Sequence, residues 1–306
     1  MKRCCAALLL LTLAAPAISA DFAEEARAVM AQGRVRSEVT IDNDSLLLKR
    51  DDGFYTSGFQ FDRQYILHQE RDSILYGWRI GQALYTASDI NLPPAQVGPP
   101  DHPYAGWLFA GAYREAANDD GSTLRVGFDL GCIGPCAGGE MVQTNLHRLL
   151  RQPLPQGWAK QVRNEAGLIL YADVAPTRWQ LLPALELRPN FHGRFGNIFT
   201  DAGLGLTLRG GQLEISPAKT QLQGFARIDV SAVAYNATLQ GGYFSKDNPH
   251  TVTPKRLVGE LEVGAAWRSG SLSLRASVLR RSNEISALPN STGTQNFVRL
   301  LFSYAP

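Results

Sequence analysis

From about residue 35 to the end, apolar and polar residues alternate with a period of two. Leu124, Val126, Phe128 and Leu130 interleave with Arg125, Gly127, Asp129 and Gly131. Ala226, Ile228, Val230, Ala232 and Ala234 interleave with Arg227, Asp229 and Ser231, and the same rhythm runs through 257–268 and 272–278. Alternation puts one side chain set on each face of a strand. The pattern predicts about twelve strands, near 36–46, 54–67, 73–86, 104–115, 122–133, 165–174, 178–188, 197–209, 224–236, 256–268, 271–282 and 295–304.

The polar face decides between architectures. A sandwich turns its polar faces to bulk water, whereas here Arg, Asp and Glu sit in mid-strand among small residues, as a polar lumen requires. Aromatic residues near strand ends (Tyr85, Trp107, Trp179, Trp267, Tyr304) suit an interfacial girdle. No apolar run after Ala20 is long enough for a spanning helix, so a membrane form must be a barrel. The expected fold is all-β: a transmembrane antiparallel β-barrel with short periplasmic turns and a short helix in an extracellular loop. The longer insertions, 87–103, 134–164, 210–223 and 237–255, are expected to face outward. The last strand, 295–304, resembles a terminal barrel strand, although Ala305 and Pro306 follow it.

One stretch breaks the rhythm. Gly134–Arg151 reads GPCAGGEMVQTNLHRLLR, with a Gly/Pro turn leading in and Pro153 closing it. Its period is helical. Glu140, Gln143 and His147 are expected on one helix face, with Val142, Leu146 and Leu149 opposite. Such a helix can close over something polar, although a lone His on a short helix is more often a packing residue.

Composition narrows the rest. Met1–Ala20 has two basic residues, an apolar core and small residues ending Ala-Ile-Ser-Ala, the layout of a cleaved signal peptide. The domain reading is therefore 1–20 signal peptide and 21–306 barrel. Cys4 and Cys5 fall in the leader without a lipobox. Cys132 and Cys136 remain, and their spacing permits a small loop-closing disulfide. Without Lys2 and Arg3 the basic and acidic residues balance, and no basic run marks a nucleic-acid partner.

Three further stretches carry candidate chemistry. Thr40-Ile41-Asp42-Asn43-Asp44-Ser45 is dense in oxygen ligands that suit a hard cation such as calcium, although an Asx-rich turn looks the same. Gly53-Phe54-Tyr55-Thr56-Ser57-Gly58 opens the second strand, where alternation sets Thr56 with inward-facing Gly58, Gln60, Asp62 and Gln64. Asp101-His102-Pro103-Tyr104-Ala105-Gly106-Trp107 begins the fourth, and reads as structural, with Trp107 at the membrane interface.

These stretches, taken in order with Gly134-Pro135, Gly138-Gly139-Glu140, Gln143, His147-Arg148 and Gly157-Trp158…Gln161…Asn164-Glu165, resemble the outer-membrane lipid A 3′-O-deacylases over most of the chain after the leader. The resemblance implies a twelve-stranded barrel in the outer membrane and calcium-dependent hydrolysis of the ester holding the 3′-linked acyloxyacyl group of lipid A. The implied site lies near the outer leaflet, between the wall and the loop helix. Its functional positions fall on Asn43, Asp44, Thr56 and His147, with Gln143 nearby. The chain departs from that pattern in having no lysine between Lys49 and Lys160, and His102 where many relatives have arginine.

The expected roles are His147 as general base on water, Asn43 and Asp44 holding Ca2+, Thr56 orienting water or substrate, and Gln143 and Glu140 contacting substrate. Ser45 stays open as a nucleophile, but no Gly-x-Ser-x-Gly elbow is present. The expected partners are lipopolysaccharide and the outer membrane, with the oligomeric state open. A barrel phospholipase and a non-enzymatic channel or structural barrel are the alternatives.

Overall fold

The computed structural model describes residues 21–47, 53–213 and 220–306; the expected leader, 1–20, lies outside them. A helix, α1, covers 21–32. The strands are β1 Arg34–Asn43, β2 Phe54–Gln69, β3 Asp72–Thr86, β4 Ala105–Ala117, β5 Thr123–Ile133, β6 Glu165–Ala175, β7 Trp179–Leu182, β8 Leu185–Gly196, β9 Phe199–Gly211, β10 Gln221–Asn236, β11 Leu257–Ser269, β12 Leu272–Arg281 and β13 Gln295–Tyr304. The loop helix, α2, spans Gly139–Leu150.

Neighbouring strands pair antiparallel, and two pairings close the ring. β1 meets β13, with Ser37 opposite Tyr304 and Asn43 opposite Val298. β6 meets β8, with Ile169 opposite Gly196. β7 pairs with β8 alone, so the wall has twelve strands and β7 is a short ribbon at its edge. Among the described residues no helix is long and apolar enough to cross a membrane.

The wall shows why the sequence alternates. Leu124, Val126, Phe128 and Leu130 are exposed on the outside, as a lipid-facing belt must be. Between them, Arg125 points inward to Glu115 (2.8 Å) and Asp129 to Arg79 (2.8 Å). On β10 the outward Ile228 and Val230 flank Asp229, which meets His192 and Arg227 in the lumen. Buried charge needs a partner of opposite sign, and these pairs along the inner wall supply it; Arg79, Asp129, His192, Arg227 and Asp229 line a cavity of about 440 Å³.

Three expectations are corrected. The strand expected at 178–188 is two elements, β7 and β8, because the chain turns at Pro183. Pro189 then sits within β8, at a position paired with β9 but not with β6, where a missing N–H is tolerated. The 210–223 connection joins β9 to β10 at the same end as the tight turns after Gln69 and Ser269, so it is not one of the long loops around α2. Tyr85 and Trp107 do not join a girdle. Both face the lumen side: Trp107 packs with Ile169, Ile198 and Phe199, and Tyr85 stacks on His102 at 5.5 Å. Trp267 and Tyr304 do stay exposed on the wall.

Candidate active site on the outside of the wall

The turn before α2 needs glycine at two places. Gly134 and Gly138 have φ of 94° and 68°, a region that side chains with a Cβ rarely adopt. Cys132 and Cys136 form the disulfide their spacing permits, with Cα atoms 6.1 Å apart, and close this turn. Gly139 then lies so near the wall that a Cβ there would come within 2.6 Å of Trp158 and 2.9 Å of Leu84. Gln82 also donates to the Ala137 carbonyl at 2.6 Å. On β3, Gln82 and Leu84 share a face with Trp78 and Ile80, which are 42% and 45% exposed on the lipid side. α2 therefore rests against the outside of the barrel, over β3 and β4, not over the lumen.

Its buried stripe is Gly139, Gln143 and His147, at i, i+4 and i+8. Glu140, expected on that face, is exposed instead. The apolar residues Met141, Val142, Leu146, Leu149 and Leu150 look away from the wall. Gln143 is held by Trp158, whose indole nitrogen donates to its Oε1 at 2.9 Å. That bond fixes which end of the amide is which, and leaves the buried Nε2 without a partner among the described residues. His147 is buried, and its Nδ1 lies 2.6 Å from the Pro153 carbonyl oxygen. A carbonyl only accepts, so Nδ1 carries the proton and Nε2 is the basic nitrogen. Beneath them Trp158 packs edge-on against Tyr104 (5.2 Å), in a cluster with Leu84, Ala87 and Val97.

The other candidates reach the same face. Asn43 stands opposite Ser57, and Ser57 opposite Leu84, so they occupy three adjacent strands side by side. Strands are about 4.8 Å apart, which places Asn43 roughly 10 Å from the wall residue under Gly139. Its Oδ1 accepts from Ser45 N at 2.9 Å and from the Ser45 hydroxyl. Asp44 is buried; its backbone N–H donates to the Thr56 carbonyl (3.4 Å), and its Oδ2 accepts from Gly53 N (3.1 Å).

Thr56 corrects a further expectation. A bulge lies between Tyr55 and Ser57, and one extra residue there shifts the parity of the strand. Thr56 consequently turns to Thr86, Oγ1 to Oγ1 at 2.6 Å, on the face of Leu84 rather than into the lumen. Tyr55 keeps the inward direction, donating to Asp42 at 2.9 Å beside Arg299. Phe54 sits at φ 64°, a strained conformation for a bulky residue that costs of order 1–3 kcal/mol and concentrates at functional sites.

The structure thus groups Asn43, Asp44 and Thr56 at one strand end, and sets Gln143 and His147 on the same outer face under α2. Glu140 stands apart from them. His102 is not part of this face. Buried between Tyr85 and Phe54, it has its imidazole pKa pushed down by burial, opposed by the Pro103 carbonyl. Thr86 gave no signal in the sequence, and Trp158 only its place in a Gly-Trp pair.

Asn43 Oδ1, the Asp44 carboxylate, Ser45 Oγ and Thr56 Oγ1 are all oxygen donors, on residues linked by the Ser45–Asn43 and Asp44–Thr56 hydrogen bonds. Among the described residues no group of three or more His, Cys, Asp and Glu is suited to a metal. One carboxylate with amide and hydroxyl oxygens fits a hard cation such as calcium, and not a metal that prefers nitrogen or sulfur.

A family model described as outer membrane protein LpxR matches residues 5–305. No curated protein matches. Among solved structures the chain is similar to LpxR from Salmonella typhimurium, at 21% identity and a TM-score of 0.73, covering 89% of this chain and 100% of that one. It is less similar to the beta domain of the Bordetella autotransporter BrkA, at 12% identity and a TM-score of 0.51, covering 89% and 98%. At such identities the structural likeness carries the barrel fold, while the family model spans nearly the whole sequence. The chain belongs to the outer membrane protein LpxR family, the lipid A deacylases that its motifs resemble.

Proposed function

We propose that this barrel hydrolyses the ester that holds the 3′-linked acyloxyacyl group of lipid A, with calcium as cofactor. One observation carries the reading: Gln143 and His147 are buried against the outside of the wall. A lipid standing in the outer leaflet can bring an ester to that crevice sideways, without entering the lumen.

His147 Nε2 takes a proton from water, and the water oxygen attacks the ester carbonyl. The Nδ1–H bond to Pro153 keeps the ring turned for this and stabilises the imidazolium that forms. The tetrahedral intermediate collapses with cleavage of the bond to the sugar oxygen, and the imidazolium returns the proton to that oxygen. The products are the free acyloxyacyl fatty acid and a free 3′-hydroxyl. Gln143 Nε2 is a ready donor to a substrate oxygen, and Thr56, braced by Thr86, orients the water or the acyl group. Asp44 and Asn43, with the Ser45 hydroxyl, would hold calcium, which when bound would polarise the carbonyl and stabilise the oxyanion. The Ser45 hydroxyl bonds Asn43, which favours water over Ser45 as the nucleophile.

Mass spectrometry of lipid A from cells with and without the protein tests this. Loss of the 3′-linked acyloxyacyl group, and of no acyl chain from phospholipid, is expected; unchanged lipid A beside lysophospholipid would transfer the chain to the phospholipases.

A further inference from the structure

We propose that α1 is a membrane-surface helix, clamped by Glu25 to the lipid-facing side of the wall, with its outer side among the phospholipid headgroups of the inner leaflet. The direction of two wall residues carries this. Tyr76 alternates in phase with the exposed Trp78 and Ile80 on β3. Arg114 alternates in phase with Leu108 on β4, and stands opposite Val126, which is exposed on β5. Both side chains therefore leave the barrel. Their neighbours point the other way: Tyr113 reaches Asp62 and Gln64 in the lumen at 2.9 Å each.

Glu25 meets both from outside. Arg114 Nε and Nη2 donate to its two carboxylate oxygens at 2.6 and 3.0 Å, and the Tyr76 hydroxyl donates at 2.6 Å. The Arg114 hydrogen bond, set against desolvation, holds the Glu25 carboxyl below its ordinary range. Phe22 covers the Arg114 guanidinium at 5.7 Å, and Val29 is fully buried against the barrel. The chain then bends into β1 at Gly33, where a Cβ would come within 2.5 Å of the Val29 carbonyl oxygen. So the helix is folded back onto the wall and does not trail away from it.

The occupant of its outer side follows from what surrounds it. An arginine on the lipid face is costly near the hydrocarbon and tolerable at the interface. Pairing with Glu25 removes the net charge. Phe22, Ala26 and Met30 fall at i, i+4 and i+8 along one side, with Phe22 and Met30 half exposed, while Glu24 and Arg27 point elsewhere. An apolar side continuous with the barrel's belt and a charged side next to it is the design of a helix lying in the headgroup plane. The end of the barrel with short turns faces the periplasm in this class, so the leaflet is the inner one.

The test uses the full chain in vesicles of phosphatidylethanolamine and phosphatidylglycerol. Met30→Cys and Arg27→Cys are each nitroxide-labelled without reductant, which spares the Cys132–Cys136 disulfide. The label at 30 is expected to be reached by oxygen and shielded from a water-soluble nickel complex, and the label at 27 to be open to nickel. Equal nickel access at the two positions overturns the membrane contact. Adding Glu25→Gln should loosen the label at 30 and lose its shielding, with barrel closure checked by the heat-dependent gel shift. Unchanged shielding in Glu25→Gln overturns the clamp.

Discussion

The indole nitrogen of Trp158 donates to Oε1 of Gln143 over 2.9 Å, and this single bond decides that the amide turns its N–H2 towards the crevice under α2. Trp158 touches no proposed reacting atom; its role is positioning. Trp158→Phe preserves most of the packing against Tyr104 but removes the donor, so the amide can flip. A neutral hydrogen bond is worth about 1 kcal/mol, roughly a fivefold effect on rate. Lipid A turnover should fall by about that much in Trp158→Phe, with the heat-dependent gel shift unchanged. A Trp158→Phe enzyme as fast as the parent would show that the amide orientation does not matter.

Asp44, just past the end of β1, and Asp62, inside β2, separate the outer oxygen cluster from the lumen. Asp44 belongs to the oxygen cluster near Thr56, whereas Asp62 lies in the lumen, accepting from Tyr113 (2.9 Å) and Gln60 (2.7 Å). A chelator should abolish turnover, and added calcium should restore it. Asp44→Asn should lose on the order of a hundredfold or more, as removal of oxyanion stabilisation does. Asp62→Asn should stay near the parent rate. Similar losses in the two variants would mean that the lumen, not the outer face, supports the reaction.

Much of the fold is legible because lipid outside and charge inside impose a period of two, as in Leu124–Leu130. The parity fails at Thr56, where a one-residue bulge reverses the face and no residue type announces it. α2 inverts a different habit. Helices of soluble proteins bury their apolar stripe, but here Leu146 and Leu149 face the lipid side and the polar Gln143 and His147 are covered. That is how Glu140, close in angle to Gln143, ends on the exposed side. The glycines at 134, 138 and 139 were readable as a turn, but not the close approach to Leu84 that places the helix outside the wall.

His102 gives the loop end a pH dependence. Burial pushes its imidazole pKa down, so the folded loop favours the neutral ring. In an opened loop the ring takes a proton below about 6.5. Stability from this site is therefore complete above about pH 6.5 and falls as the pH drops through the lower folded value. The buried His250 shifts in the same direction and adds to it. Protease cleavage within 87–104, normalised to a free peptide, should speed up on going from about pH 8 to about pH 5. His102→Phe, which keeps a ring against Tyr85, should shrink that difference. An unchanged difference would place the acid sensitivity elsewhere.

The last prediction concerns His147, on which the proposed chemistry rests. Its Nδ1–H bond to Pro153 leaves only Nε2 to accept a proton. His147→Gln can still donate to that carbonyl through its amide, but it has no basic nitrogen. Loss of a general base costs about a hundred- to ten-thousandfold in rate. His147→Gln should fall in that range, and should do so in turnover while the KM for lipid A changes little, since the base acts on water and not on the bound lipid. The barrel itself is closed by backbone pairing of β1 with β13 and β6 with β8, in which this side chain takes no part, so the folded protein should still migrate as a compact band before heating. A substrate contact would behave in the opposite way, raising KM and sparing the maximal rate. If His147→Gln keeps near-normal turnover, the proton must go to another group near Asn43, and Asp44 is the carboxylate within the cluster that could take it.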